Sequence, residues 1–318
     1  MNSPHLEKTK PEDFFLKDLE VPIFVRKFRG NKKIPIFLIH GLSGNIYSLN
    51  TIAKYLHSFG YTVFVYDLRG RGNSGKPKGE YSKFVHAKDL KSILEYFSFE
   101  KVHLVAHSLG AWIAMEVCKQ IPNKIQSLTL LDGGGASSVL SGIRNLKMVR
   151  ESLKRLAVEF PSKETYFELA KQSPLVSEWS EDLELLLDYE LEESNGKWVS
   201  NFPTYVAEAE LQALGGSLNN WTLLKNLIFH PIQYFQKKKR NSNLEYDQIK
   251  CPVLLLRAEK TNYKNKDYLI SDSALSRMEK DFLNLRAIRV LDQNHYGLIL
   301  NPCAIRDREM IQFLNRFE

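Results

Sequence analysis

Short apolar runs alternate with longer amphipathic segments along most of the chain, and this alternation constrains the fold most strongly. Continuous apolar runs are typical of strands buried on both faces, as in a parallel sheet covered by helices. The predicted strands are Ile34–Ile39, Tyr61–Tyr66, Lys101–Ala106, Ile125–Leu131, Cys251–Leu256 and Arg286–Leu291. The predicted helices are Ser48–Phe59, Lys83–Phe97, Leu109–Lys119, Ser271–Phe282 and Ala304–Phe317. The sequence therefore predicts an α/β fold with a mostly parallel sheet and helices on both of its faces.

The alternation is interrupted over residues 136–247, where helical periodicity replaces the strand-like runs. Two sets of apolar positions recur there at the spacing of one helix face. They are Leu146, Val149, Leu153 and Leu156 in the first set and Leu183, Leu186, Leu187 and Leu191 in the second. A stretch of this length with apolar faces of its own is too long for a loop. We therefore expect an inserted helical cap at 136–247, between core parts at 31–135 and 248–318, with 1–30 as an N-terminal segment.

Composition and charge indicate a soluble enzyme-sized chain rather than a membrane or nucleic-acid-binding protein. The 318 residues are 43% hydrophobic, enough to bury a large core. Three widely spaced cysteines, Cys118, Cys251 and Cys303, are expected to be buried thiols in a reducing compartment, so we expect a cytoplasmic protein. No run is long and apolar enough for a signal peptide or a membrane span. The net charge is +7, but the only dense basic run, Lys237–Arg240, reads as a solvated face, and no nucleic-acid partner is expected.

The segment Ala106-His107-Ser108-Leu109-Gly110 stands at a predicted strand-to-helix junction. Small residues two positions before and two positions after the serine permit a turn so tight that the hydroxyl is lifted clear of the sheet edge. The segment matches the pattern Gly-x-Ser-x-Gly with alanine in place of the first glycine. Such a junction presents a serine hydroxyl as a nucleophile.

Four local patterns occur in a fixed order along the chain. His40-Gly41 follows one strand, Asp67-x-Arg69-Gly70-x-Gly72-x-Ser74 follows the next, the Ser108 segment follows a third, and His295 follows the last. In this order and spacing they resemble the α/β-hydrolase-fold serine hydrolases, of esterase or lipase type, that carry an inserted helical lid. The resemblance covers about residues 30 to 318.

This resemblance implies roles for several further residues. The backbone N–H groups of Leu42 and Leu109 are expected to donate hydrogen bonds to the oxyanion of a tetrahedral intermediate. The loop Asp67–Gly75 is expected to be scaffolding in which Arg69 pairs internally. The segments Phe14–Leu19 and Ile23–Phe28 are expected to form an antiparallel hairpin at the edge of the sheet.

A serine nucleophile needs an adjacent base, and eight histidines compete for that role. His295 alone lies after the last predicted strand, where the chain order serine, acid, histidine places the base. His40 is expected to shape its own loop, and His107 is expected to point its side chain away from the hydroxyl. The remaining histidines lie in the N-terminal tail, on helices, in a strand or in the insertion.

The acid departs from the usual pattern of the family. Where related enzymes usually carry an aspartate after the strand over residues 253–257, this chain has Thr261, which cannot supply a negative charge. We favour Asp132, because some members draw their acid from that earlier strand end and the two strand ends are adjacent in such sheets. Glu259 is the alternative, two positions early but with a longer side chain. The remaining candidates are Asp267, Asp272 and Asp292.

Taken together, the sequence predicts a serine hydrolase that cleaves carboxylic esters through an acyl-enzyme on Ser108, His295 and Asp132. No metal or organic cofactor is implied. A thioesterase, a lipase or a C–C bond hydrolase on the same triad is a close alternative, and Ser108 argues against enzymes that need a carboxylate nucleophile. A ligand-binding or scaffold protein with little turnover is the alternative of another class, supported by Thr261. The aromatic-rich insertion favours a small, mostly apolar ester or acyl substrate.

Overall fold

The computed structural model describes residues 10–135, 149–150, 153–172, 178–219, 244–260 and 268–318. Several positions singled out in the sequence lie outside these residues. They are Leu146, Thr261, Asp267 and the basic run 237–240.

Eight strands form one sheet in the order β1-β2-β4-β3-β5-β6-β9-β10. The strands are β1 Glu12–Leu16, β2 Ile23–Phe28, β3 Ile36–Ile39, β4 Val63–Tyr66, β5 Val102–His107, β6 Ile125–Leu131, β9 Val253–Ala258 and β10 Leu285–Val290. The strands from β4 to β10 in this order pair in parallel, whereas β1 and β2 pair antiparallel and β2 is antiparallel to β4. The predicted parallel sheet and its antiparallel edge hairpin are therefore confirmed.

Helices cover both faces of the sheet. They are α1 Asn50–Ser58, α2 Lys83–Phe97, α3 Leu109–Gln120, α7 Asp272–Asp281, α8 Gly297–Leu300 and α9 Ala304–Leu314. A short 3₁₀ turn over Ile46–Leu49 precedes α1.

Two apolar cores lie on opposite faces of the sheet, and strand β3 shows how alternation divides its side chains between them. Phe37 and Ile39 pack into the core that includes α2, α3 and α7, and Ile36 and Leu38 pack into the core that includes α1 and α9. Since successive side chains of a strand point to opposite faces, a continuous apolar run is what a sheet covered on both sides requires.

The stretch from the end of β6 to the start of β9, here called the β6–β9 segment, contains both helices and strands. Its described elements are α4 Lys163–Lys171, α5 Glu181–Tyr189, β7 Leu191–Ser194, β8 Lys197–Ser200 and α6 Thr204–Ala213. Serine side chains cap the first turns of α4 and α5.

The expectation that this segment holds only helices is wrong over residues 191–200, where β7 and β8 pair as an antiparallel hairpin. Leu183, Leu186 and Leu187 are buried on α5 as predicted, but Leu191 lies in β7 rather than on their helix. The hairpin turn is Asn195-Gly196, with φ values of 53° and 73°. An Asn-Gly pair favours this turn because both residues tolerate positive φ.

None of the described helices combines the length and the apolar character that crossing a bilayer would require.

Candidate active site

Ser108 occupies a strained junction between β5 and α3. Its φ of 53° and ψ of −115° lie outside the regions that L-residues favour. Its N–H donates to the carbonyl of Leu131 at the end of the neighbouring strand, at 3.2 Å. A Cβ added to Gly110 would lie 2.4 Å from the carbonyl oxygen of Ile39, so only glycine allows α3 to approach β3 this closely. Sterics of the neighbouring strands therefore hold the serine at the carboxyl edge of the sheet.

His295 and Asp132 meet at this same edge. His295 Nδ1 and Asp132 Oδ2 are 2.8 Å apart, although the two residues are 163 positions apart in the chain. Asp132 directly follows β6 and is almost fully buried, and its Oδ1 accepts a hydrogen bond from the N–H of Ala258 at 3.2 Å. Since an ionised carboxylate only accepts hydrogen bonds, Nδ1 carries the imidazole proton and Nε2 is left as the basic nitrogen.

The other candidate acids among the described residues have partners of their own. Glu259 pairs with Arg257 Nη1 at 3.3 Å and with Arg289 Nε at 3.6 Å. Asp272, at the start of α7, accepts from Arg257 at 2.7 Å. Asp292 accepts from the adjacent Gln293 at 3.5 Å. Of the described candidates, Asp132 is therefore the carboxylate that the structure brings to the imidazole.

His107 supports the loop that carries His295, a contact that sequence reasoning missed. Its Nε2 donates to the carbonyl oxygen of His295 at 3.1 Å, and the two rings lie 4.4 Å apart between centroids. Burial lowers the pKa of His107 well below its usual value, and the nearby His295 acts in the same direction. The ring is therefore neutral. Its position beside the nucleophile was visible in the sequence, but its partner nearly two hundred residues away was not.

The loop after β3 holds the peptide between Gly41 and Leu42 in one orientation. The carbonyl of Gly41 accepts from His40 Nδ1 at 2.8 Å and from the N–H of Gly44 at 3.1 Å. His40 Nε2 accepts from the N–H of Leu68 at 3.0 Å, so Nδ1 carries the proton. Burial lowers the pKa of His40 to about 3, which keeps the ring neutral. Because a trans peptide points its C=O and N–H in opposite directions, fixing the Gly41 carbonyl also fixes the Leu42 N–H.

Leu42 and Leu109 each present a backbone N–H that has no acceptor among the described residues. Leu109 is the first residue of α3, where the N–H groups have no partner within the helix and the helix dipole favours negative charge. Such a pair of donors can stabilise an anionic oxygen.

The β6–β9 segment contacts the loops that follow β3 and β4. The hydroxyl of Tyr189, on α5, donates to Asp67 Oδ2 at 2.7 Å, while Asp67 Oδ1 accepts from the N–H of Ile46 at 2.9 Å. Asn45 Nδ2 donates to the carbonyl of Leu186 at 2.9 Å. Helix α5 therefore packs against the residues that precede α1.

A further polar contact links the loop after β3 to the loop that carries His295. A hydrogen bond joins the hydroxyl groups of Ser43 and Tyr296. It connects the loop after β3, residues 40–45 and here called the Leu42 loop, to the residue after His295. Among the described residues, no three His, Cys, Asp or Glu side chains lie where they could hold a metal ion together.

Comparisons with known proteins agree with this architecture. A family model described as the alpha/beta hydrolase fold matches residues 34–302. An uncharacterised protein of Mycobacterium tuberculosis is 34% identical over 133 residues, which are 40% of this chain and 38% of that protein. A probable alcohol acetyltransferase of Wickerhamomyces anomalus is 31% identical over 132 residues, 41% of this chain and 37% of that protein. The chain thus spans less than two fifths of the length of these relatives.

A solved structure matches over nearly the whole chain. The crystal structure of E-2-(acetamidomethylene)succinate hydrolase is similar at a TM-score of 0.72 and 17% identity, covering 96% of this chain and 99% of the other. At that identity the likeness shows the fold alone. With the family model matched over most of its length, the chain belongs to the alpha/beta hydrolase fold family.

Proposed function

We propose that this chain is a serine hydrolase that cleaves carboxylic esters, with Ser108 as nucleophile, His295 as general base and Asp132 as the acid. The observation that carries the proposal is the 2.8 Å hydrogen bond between His295 Nδ1 and the buried Asp132 carboxylate. It lies at the sheet edge where the N–H of Ser108, on a strained strand-to-helix junction, bonds to the carbonyl of Leu131, the residue before Asp132. A base oriented by a carboxylate next to a serine is the arrangement that activates a hydroxyl.

In the proposed reaction, Ser108 Oγ bonds to the ester carbonyl carbon and its proton passes to His295 Nε2. The resulting oxyanion accepts hydrogen bonds from the N–H groups of Leu42 and Leu109. Collapse of this intermediate breaks the bond to the alkoxy oxygen, which leaves as an alcohol with the proton from His295. Water then attacks the acyl-enzyme by the same route and releases the carboxylic acid, restoring the serine hydroxyl.

We also propose that the β6–β9 segment forms the lid over this site and that the substrate is mostly apolar. The aromatic residues of this segment support the proposal, because pockets that bury acyl chains or rings are lined mainly by apolar side chains. Phe160 and Tyr166 are buried and their rings pack edge to face, so they contribute to the packing of the segment itself. Phe202 is buried against Arg71, in the loop after β4. Trp198 and Tyr205 retain some exposure.

A thioesterase, a lipase and a C–C bond hydrolase use the same triad and are alternatives to the carboxylesterase. Transfer of the acyl group to an alcohol is a further possibility favoured by one observation, the similarity to a probable alcohol acetyltransferase. A panel of p-nitrophenyl esters of rising acyl length, assayed with and without an added alcohol, separates hydrolysis from transfer by the products formed.

The test of the serine hydrolase itself compares the wild-type chain with Ser108→Ala. We expect a fluorophosphonate probe to label the wild type, and the variant to remain unlabelled and to lose ester turnover by on the order of 10⁴-fold or more. Circular dichroism establishes that both proteins are folded. A folded wild type that is neither labelled nor active would contradict the proposal and favour a binding protein on a hydrolase frame.

A further inference from the structure

A buried arginine links the Leu42 loop to the β6–β9 segment. Arg71 lies in the loop after β4 and is 1% exposed. Its Nε donates to the carbonyl oxygen of Leu42 at 2.7 Å, and its Nη2 pairs with Glu210 on α6. Its guanidinium carbon lies 3.6 Å from the centroid of the Phe202 ring. One side chain therefore touches the loop, the helix and an aromatic residue of the segment.

Glu210 is held on its other side by the hydrolase core. Its Oε1 contacts Nε2 of His86, on α2, at 3.0 Å, and both side chains are almost completely buried. A charged pair in such an environment is unfavourable unless geometry and hydrogen bonding compensate for the lost hydration. Well-packed apolar side chains of similar total volume would avoid that cost, so the arginine supplies something that an apolar side chain cannot.

Two backbone carbonyls flank the Leu42 N–H, and both accept hydrogen bonds. The carbonyl of Gly41 precedes this N–H and is held by His40 and Gly44, both in the same loop. The carbonyl of Leu42 follows it and is held by Arg71. With both neighbouring carbonyls bound, the loop cannot rotate the Leu42 N–H without breaking a hydrogen bond. One of those two bonds depends on an arginine that Glu210 orients.

We propose that Arg71 is a positioning residue that holds the Leu42 N–H toward the reacting carbonyl oxygen, and that Glu210 makes this donor dependent on the packing of α6. The proposal rests on the proposed serine hydrolase. The direct role in the transition state belongs to the Leu42 N–H, and Arg71 acts through the backbone of Leu42. Substrate bound beneath the β6–β9 segment and the oxyanion donor are thereby coupled through a single side chain.

The test measures kcat and KM separately for Arg71→Lys with p-nitrophenyl butyrate. A lysine keeps the positive charge, but its single ammonium cannot span the Leu42 carbonyl and Glu210 as the two guanidinium nitrogens do. We expect kcat to fall by about 10- to 100-fold, somewhat less than the loss of a whole oxyanion donor. KM should stay within about threefold of the wild type, because the interaction is made in the transition state.

Arg69→Lys is the matched control. Arg69 lies in the same loop, is also buried, and forms a two-bond ion pair with Asp89 at 2.5 and 2.6 Å. Its ion-pair partners are Asp89 and Glu20. Replacing Arg69 therefore tests the loss of stability from a disrupted buried arginine without a change at the Leu42 carbonyl. We expect Arg69→Lys to lower the unfolding midpoint as Arg71→Lys does, yet to keep kcat near the wild-type value.

Glu210→Gln keeps the test decisive if Arg71→Lys does not fold. The amide oxygen still accepts from Arg71, but the charge that orients the guanidinium is lost, so we expect a smaller fall in kcat with KM unchanged. Affinity for a trifluoromethyl ketone, whose adduct with the serine carries an oxyanion, should fall in parallel with kcat. Equal kcat values for the Arg71, Glu210 and Arg69 variants would overturn this inference while leaving the serine hydrolase intact. A folded wild type with neither Ser108-dependent turnover nor labelling would overturn both this inference and the proposed serine hydrolase.

Discussion

The two oxygens of the Asp132 carboxylate have different partners. This arrangement determines which ring nitrogen of His295 carries the proton. Oδ1 accepts from the N–H of Ala258 and Oδ2 faces His295 Nδ1. In Asp132→Asn, the amide oxygen satisfies the N–H of Ala258, and the amide nitrogen then donates toward Nδ1. That reversal places the imidazole proton on Nε2, where it blocks the base.

We therefore expect Asp132→Asn to lower kcat by on the order of 10⁴-fold with little change in KM. Glu259→Gln is the control, because Glu259 pairs with Arg257 and Arg289 rather than with His295. Its kcat should remain close to that of the wild type. Ester turnover of the two purified variants checks this, and a collapse in Glu259→Gln alone would transfer the acid role to Glu259.

A second prediction at the residue scale concerns the close approach of α3 to β3. Gly110→Ala would place a methyl group 2.4 Å from the carbonyl of Ile39 and 2.8 Å from that of His40. Backbone atoms cannot yield as side chains do, so we expect a loss of about 1–3 kcal/mol in the free energy of unfolding, together with lower labelling of Ser108.

Gly135→Ala is the comparison for that substitution. The nearest described atoms to its added methyl belong to the side chains of Ile270 and Ala274, at 3.0 Å or more. Urea unfolding of both variants checks the prediction. An unfolding midpoint for Gly110→Ala that equals or exceeds that of Gly135→Ala would contradict it.

At the residue scale, a local pattern can single out a residue from the sequence, whereas a long-range contact leaves little trace in it. The turn around Ser108 is a local steric requirement, so it could be recognised from five residues. For the acid, the adjacency of two strand ends and the family resemblance favoured Asp132 but left Glu259 as the alternative. Arg71 was not found, because its partner Glu210 lies 139 positions away on a helix whose placement no local pattern specifies.

At the scale of elements, the β6–β9 segment is held together by a polar cluster as well as by apolar packing. Glu190, between α5 and β7, accepts two bonds from Arg155 at 2.7 and 3.0 Å. The same carboxylate accepts from Tyr166 at 2.8 Å and from Ser200 at 2.9 Å. It therefore joins α4, the hairpin and the 3₁₀ turn over Lys154–Ala157.

We expect Glu190→Ala to destabilise this segment by about 3–5 kcal/mol, because it removes the carboxylate that compensates a largely buried guanidinium. Faster proteolysis within residues 153–219 and a lower thermal midpoint are the measurements. Glu159→Ala removes a surface pair with Lys197 and should cost less than about 1 kcal/mol. Equal proteolysis rates for the two variants would count against a stabilising role of the Glu190 cluster.

The hairpin shows why elements of this segment were harder to predict than those of the sheet. Sheet strands are continuous apolar runs, whereas β7 is mostly exposed and polar and β8 is only partly buried. Periodicity therefore favoured an extended helix through Leu191. The local signal was the turn pair Asn195-Gly196, which favours a two-residue hairpin even between weakly apolar strands.

For the whole molecule, burial of histidines links stability to pH. Burial lowers the pKa of His40 to about 3 and of His103 to about 4, and it lowers that of His107 well below its ordinary value. The unfolded chain, with histidine pKa values near 6.5, binds more protons than the folded chain between about pH 6.5 and pH 4. Stability is therefore full above pH 6.5 and is lost as the pH falls through that range.

We expect the free energy of unfolding to fall between pH 7 and pH 5 by on the order of 2 kcal/mol for each of these three histidines. Urea unfolding at the two pH values measures the difference. His103→Asn, which lies away from the site and replaces one of the three, should reduce the fall by about a third. Identical unfolding curves at pH 7 and pH 5 would show that these rings titrate alike in both states.

Because Asp132 lies at the end of β6, the β6–β9 segment separates two of the proposed triad residues from the third. The proposed nucleophile and acid both precede the β6–β9 segment, on neighbouring strands, and the proposed base follows it. Strands β6 and β9 are joined in the sheet by their own backbone hydrogen bonds. A two-fragment version cut within the segment would carry Ser108 and Asp132 on one piece and His295 on the other, so ester turnover would report that the pieces had reassembled.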